Sequence, residues 1–173
     1  MNLFHFSEES GIRVFVPRVK ENRNNMPPVV WAIDDVHAFT FYFPRDCPRI
    51  VYTRTNEMSD EVQRTFFGVT TSNIVVTVET DWYERIKRTT LFRYKMPSDT
   101  FQLFDAGAGY YISPQTIIPE EVEPLTHLLD LLMQQDIEVR FTPNLHPLRN
   151  AILNSTLNDF GIHRFANAKG PGL

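Results

Sequence analysis

Apolar and polar positions alternate from the start of the chain. In LFHFS (residues 3–7) Phe4 and Phe6 fall on one side, with His5 and Ser7 on the other, which predicts a strand. IRVFVPR (12–18) alternates again, with Val14 and Val16 facing away from Phe15, until Pro17 ends it or makes it an edge. The polar, Asn-rich stretch VKENRNNMPP is a loop. VVWAI, bounded by Pro28 and Asp34, is a continuous apolar run and predicts a buried strand. DDVHAFTFYF predicts a helix: Asp34 or Asp35 can cap it, Val36, Phe39 and Phe43 share a face, and Pro44 stops it. Its aromatic density also suits a strand.

Farther along, RIVYTR reads as a strand and SDEVQRTFF as a helix, with Ser59 as cap and Asp60 and Glu61 in the first turn. The β-branched NIVVTVET is the clearest strand. DWYERIKRT predicts a helical turn, TLFRYKM a strand, and FQLFD and GYYIS two strands flanking the loop AGAG. In EEVEPLTHLLDLLMQQ, Val122, Leu125, Leu128, Leu129 and Leu132 recur at helical spacing behind a run of acids, predicting the longest helix. IEVRF is then a strand, and NLHPLRNAILNS a helix with Pro147 in its first turn. Strands thus dominate, single helices interrupt them, and no regular β-α alternation emerges. The fold class expected is α+β, a single domain over residues 1–165 with a mixed or mostly antiparallel sheet, followed by a flexible tail at 166–173.

A length of 173 residues suits one domain with a substantial core. A net charge of −4 argues against general nucleic-acid binding. The lone Cys47 excludes an internal disulfide and a Cys-rich zinc site. Neither a signal peptide nor a membrane span is evident, so the expectation is a soluble, cytoplasmic protein without membrane association. Thirteen of the 17 basic residues are Arg, which suits an anion pocket as well as surface ion pairs.

The chemistry-bearing positions follow from this layout. His5 and Ser7 share a strand face and could meet a polar ligand or ribose, or could be the polar side of a half-exposed strand. Arg18 could reach a phosphate near His5, or be an exposed strand end. Glu79 and Glu138 lie at strand ends. Arg140 shares a face with Glu138, forming either a site or an ion-pair lattice. His163 and Arg164 could complete a pocket, while His37, His127 and His146 read as structural. There is no His-x-His or His-x3-His, and neither His5 nor His163 has a carboxylate at ligand spacing, so no metal is expected. AGAGYY lacks the strand and helix context of a pyrophosphate loop.

LFHFS, IRVFVPR and VVWAIDDVHAFTFYF together resemble the opening of ADP-ribosyltransferase-like domains, which begin with a strand carrying His-x-Ser/Thr and continue to an aromatic strand and a helical Tyr. The resemblance implies NAD or a related nucleotide as ligand, with His5 and Ser7 in the first motif, Trp31 at the aromatic strand position and Tyr42 as the helical Tyr. It also implies a carboxylate that steadies the nicotinamide ribose. No Glu-x-Glu or Gln-x-Glu falls on a strand expected from the sequence, which offers Glu79 and Glu138 instead. FHFSE, VFVPR, VWAID and IEVR are, along the full chain, similar to a bacterial family of about this length and of unknown function. The expectation is a nucleotide-binding domain with a cleft lined by His5, Ser7, Arg18 and Trp31; the alternative is a non-catalytic binding or interaction module on the same scaffold.

Overall fold

Alternating and β-branched runs become strands, and only short segments with a cap or a proline start become helices. The computed structural model describes residues 1–172. In chain order the elements are β1 (Leu3–Ser7), β2 (Val30–Asp34), β3 (Arg49–Thr53), α1 (Asp60–Phe66), β4 (Ile74–Glu79), α2 (Tyr83–Arg88), β5 (Leu91–Met96), β6 (Gln102–Asp105), β7 (Tyr110–Ser113), β8 (Glu121–Leu125), α3 (Leu128–Met133), β9 (Ile137–Thr142), α4 (His146–Leu153) and β10 (Phe160–His163). Short 3-10 turns lie at Glu21–Arg23, Ala38–Phe41, Thr80–Trp82 and Phe165–Asn167. The class is α+β. The chain divides into two compact units, one of residues 1–42 and 90–126, the other of residues 43–89 and 127–173.

The first unit holds an antiparallel sheet in the order β6-β7-β2-β1-β5-β8. Leu3, Val30, Ala32, Tyr94 and Met96 form a core on one face, closed by Phe15 and Ile117. Phe15 comes from IRVFVPR, which is not a ladder strand. Its backbone pairs with the rest through two isolated bridges, Phe15 to Ile117 and Arg18 to Val29. The two edges differ in chemistry. β8 carries Pro124, Glu121 and Glu123, residues that discourage further pairing, whereas every residue of β6 is exposed and carries no such guard except Asp105.

The second unit holds the order β10-β3-β4-β9, with β4 and β9 parallel and the other pairs antiparallel. Ile50, Tyr52 and Val75 meet Val62 and Phe66 of α1, Ile152 of α4, and Leu145 in one apolar cluster. The Ser59 hydroxyl accepts the Val62 amide at 3.3 Å, the cap expected for α1. α2 packs on α3, and α3 on β9.

One expected helix is not formed, and another forms only in its second half. Asp34 belongs to β2, and its carboxylate accepts the His37 amide at 2.8 Å, so the chain turns sharply there. Only one 3-10 turn follows before Pro44, because the crowded rings of residues 39, 41, 42 and 43 are poor helix formers. The run 120–135 splits into β8 and α3. Pro124 sits comfortably on an edge strand but not in a helix interior, and His127, at φ 54, breaks the backbone before α3. The acids expected to cap that helix pair across the sheet instead, Glu120 with Lys95 and Glu123 with Arg93. Contrary to expectation, a Glu-x-Glu, Glu121 to Glu123, therefore lies on a strand, at the sheet edge and with Glu123 already paired. The strand β10 lies in FGIH, where no strand was expected.

Candidate functional site

Register decides which side chains of the first unit can meet. β1 and β2 pair with Phe4 opposite Ile33, so Ile33 and Trp31 share the face of Phe4 and Phe6, while His5 and Ser7 lie on the other. His5 and Trp31 touch, but through the Trp31 backbone: His5 Nδ1 lies 3.1 Å from its carbonyl oxygen. The His5 ring packs against Phe15, with centroids 4.7 Å apart, on the covered core face. The Ser7 hydroxyl accepts the Glu9 amide at 3.0 Å and closes the end of β1. Arg18 is exposed, and its backbone pairs with Val29 in both directions at 3.2 Å. Tyr42 is buried and meets the edge of Phe6, on the Trp31 face. The cleft that His5, Ser7 and Trp31 were expected to line together is therefore not assembled. The sheet itself stands between their side chains.

A different group gathers around Trp31. Phe104 and Tyr110 present edges to its ring at centroid distances of 5.0 and 5.9 Å. Lys20 Nζ lies 3.9 Å from the ring centroid, and the Arg23 guanidinium lies 5.1 Å from the centroids of both Trp31 and Phe104. Such cation–π contacts are favourable and orient the cations. Trp31 is 9% exposed, and among the described residues its indole Nε1–H has no acceptor. A buried donor without an acceptor costs about 1–3 kcal/mol. Lys20 and Arg23 were not singled out by sequence, since they lie in the loop that follows Arg18.

In the second unit the two carboxylates expected near a ribose are apart and engaged. Glu79 pairs in register with Thr142 and Glu138 with Val75, so they share a sheet face but stand four positions, about 13 Å, apart. Glu79 is 1% exposed, and its two oxygens lie 3.1 and 3.2 Å from the Lys169 backbone nitrogen, which donates to them. Glu138 accepts from Arg140 Nε at 2.6 Å. Hydrogen bonds from Thr70 and Arg140 hold its carboxyl below the usual range. Arg140 also donates to the carbonyls of Phe66 (2.7 Å) and Phe67 (3.2 Å) and to the Tyr52 hydroxyl (3.0 Å). It ties β9 to the last turn of α1, where carbonyls lack helical donors. Of the two readings of the Glu138–Arg140 pair, the ion-pair one describes it.

An open groove of about 630 Å³ beside Glu138 is lined by residues 70–74, 133 and 135–138. The hydroxyl of Ser72, one of the lining residues, donates to the Ile74 carbonyl at 2.7 Å and accepts the Ile74 and Glu138 amides at 3.3 Å. His163 ends β10. Burial first, then Arg49 and Arg164, depress its pKa to about 3, so it is a neutral imidazole at ordinary pH. Among the described residues no group of three or more His, Cys, Asp or Glu could hold a metal ion, and no helix is long and apolar enough to cross a membrane.

No curated protein and no solved structure matches the chain. One family model does, over residues 4–168, a span that takes in every site residue described above except Lys169. The chain therefore belongs to the family of unknown function DUF6886.

Proposed function

We propose that the protein is a binding protein without transferase chemistry, and that its first unit captures an anionic, nucleotide-like ligand at Trp31. The observation that carries this reading is the buried indole N–H with no acceptor, roofed by Lys20 and Arg23. A phosphate or carboxylate oxygen would complete the indole hydrogen bond and meet both cations. The roof contains flexible side chains, so rotamer changes are enough to admit a small anion. Phe104, 37% exposed, offers a neighbouring face on which a base can stack. Transfer chemistry lacks comparable support, since Glu79 and Glu138 already hold protein donors.

The test follows Trp31 emission in a Trp82→Phe background during titration with AMP, ADP-ribose, NAD and inorganic phosphate. Saturable change with the nucleotides, weakened about tenfold in Arg23→Ala, is the expected result. No change up to about 1 mM of any of the four, in folded protein, overturns the reading.

A further inference from the structure

Strands β4 and β9 run parallel, and the carboxyl ends of parallel strands are where open sheets commonly bind ligands. Here that end is occupied by the chain itself. Part of the segment expected as a flexible tail lies across it: after the 3-10 turn at Phe165–Asn167 the chain leaves through Ala168 in extended backbone, with φ −67 and ψ 155, to Lys169 and Gly170. Four residues around the strand ends hold it. The Glu79 carboxylate receives the Lys169 amide, and Asp81 Oδ2 lies 2.7 Å from Lys169 Nζ. His146 Nε2 lies 2.9 Å from the Lys169 carbonyl, and Asn144 Nδ2 donates to the Gly170 carbonyl at 2.8 Å. Upstream, Asn167 Nδ2 donates to the Asp46 carbonyl at 2.9 Å.

The pattern is that of a receptor reading a peptide rather than of one element packing on another. Side chains from the β4 and β9 ends recognise one amide, two carbonyls and one ammonium of a short extended stretch. The Asn144 side chain is itself aligned, since its Oδ1 accepts the His146 amide at 2.8 Å. Glu79 is the buried member, and a buried carboxylate gains from any donor that replaces the Lys169 amide, an ammonium most of all. Lys169 and Gly170 themselves are exposed, so leaving the site costs this segment little apolar burial.

We infer that the carboxyl end of the β4–β9 pair is a binding site for an extended, lysine-bearing segment of another polypeptide, and that residues 168–170 occupy it in cis. Asp81 selects the cationic side chain, Glu79 the backbone donor, and His146 with Asn144 the two carbonyls. The tethered segment has a high local concentration, so it excludes a free peptide until it is displaced.

The experiment uses the full chain. Lys169→Glu sets a carboxylate against Asp81 and should loosen the segment without touching the core. Amide exchange at residue 169 should be slow in the wild type and faster in the variant. A fluorescein-labelled synthetic peptide spanning residues 165–172 should then bind Lys169→Glu about tenfold more tightly than the wild type. Changing the peptide's own lysine to alanine should weaken binding several-fold, as should adding Asp81→Asn to the variant. Adding Glu79→Gln should weaken it about tenfold, and Asp81→Asn, at an exposed position, serves where the Glu79 variant does not fold. Fast exchange in the wild type, unchanged slow exchange in Lys169→Glu, absence of peptide binding to a loosened variant, or binding indifferent to these substitutions would each overturn the inference.

Discussion

His163 makes stability depend on acid in a calculable way. Folded, its pKa is about 3, lowered by burial and by the Arg49 and Arg164 charges, against 6.5 for the unperturbed group. Between those values the unfolded chain binds a proton that the folded chain refuses. The stability held by the neutral ring is complete above about pH 6.5 and lost as pH falls toward 3. From about pH 7 to about pH 4.5 the loss assignable to this one residue is about 2.5 kcal/mol, a large part of a small protein's margin. Carboxylates also gain protons over this range, so the assay is a difference. Urea unfolding of the wild type and of His163→Gln, a neutral replacement that keeps hydrogen-bonding capacity, is measured at both pH values. The wild type should lose about 2.5 kcal/mol more than the variant, and the His163 ring should show no NMR titration between about pH 8 and pH 5. Equal losses in the two proteins, or an imidazole titrating near 6.5, would refute the reasoning.

Two further perturbations test the second unit. Cys47 is fully buried and its thiol pKa is raised to about 12, chiefly by desolvation, so a thiol reagent near neutral pH should modify it only at the rate of unfolding; rapid stoichiometric labelling of native protein would contradict this. Arg140→Met removes the donors for Phe66, Phe67, Tyr52 and Glu138 and should cost about 2–3 kcal/mol, lowering the melting temperature by about 5–10 °C, with Glu138→Gln costing far less. An Arg140→Met melt within a degree of the wild type would show those bonds to be replaceable by water.

Much of the local structure was legible along the chain because its causes are local. Period-two alternation in LFHFS and TLFRYKM, the β-branched run NIVVTVET, the Ser59 cap and the Pro147 start each act within a few residues. The α+β class follows from their order. The family relation, resting on short shared segments, was also readable. Helical spacing misled at 120–135 because an edge strand accepts Pro124 and because Glu120 and Glu123 find basic partners on β5, a strand some thirty residues earlier.

The sites belonged to the tertiary structure. His5 and Trp31 both lie on apolar strands, but only the pairing of Phe4 with Ile33 sends their side chains to opposite faces of the sheet. Glu79 and Glu138 look equivalent along the chain, yet the parallel register sets them four positions apart. One then meets the Lys169 amide and the other Arg140. The gathering of Lys20, Arg23 and Phe104 on Trp31 joins residues up to 84 positions apart, and the seat of Lys169 and Gly170 joins them to positions 79, 81, 144 and 146. The sequence by itself determined which segments could be strands and helices, because propensity and periodicity are short-range. Register and chain crossing, set by the packing of the whole chain, decided which polar groups face one another.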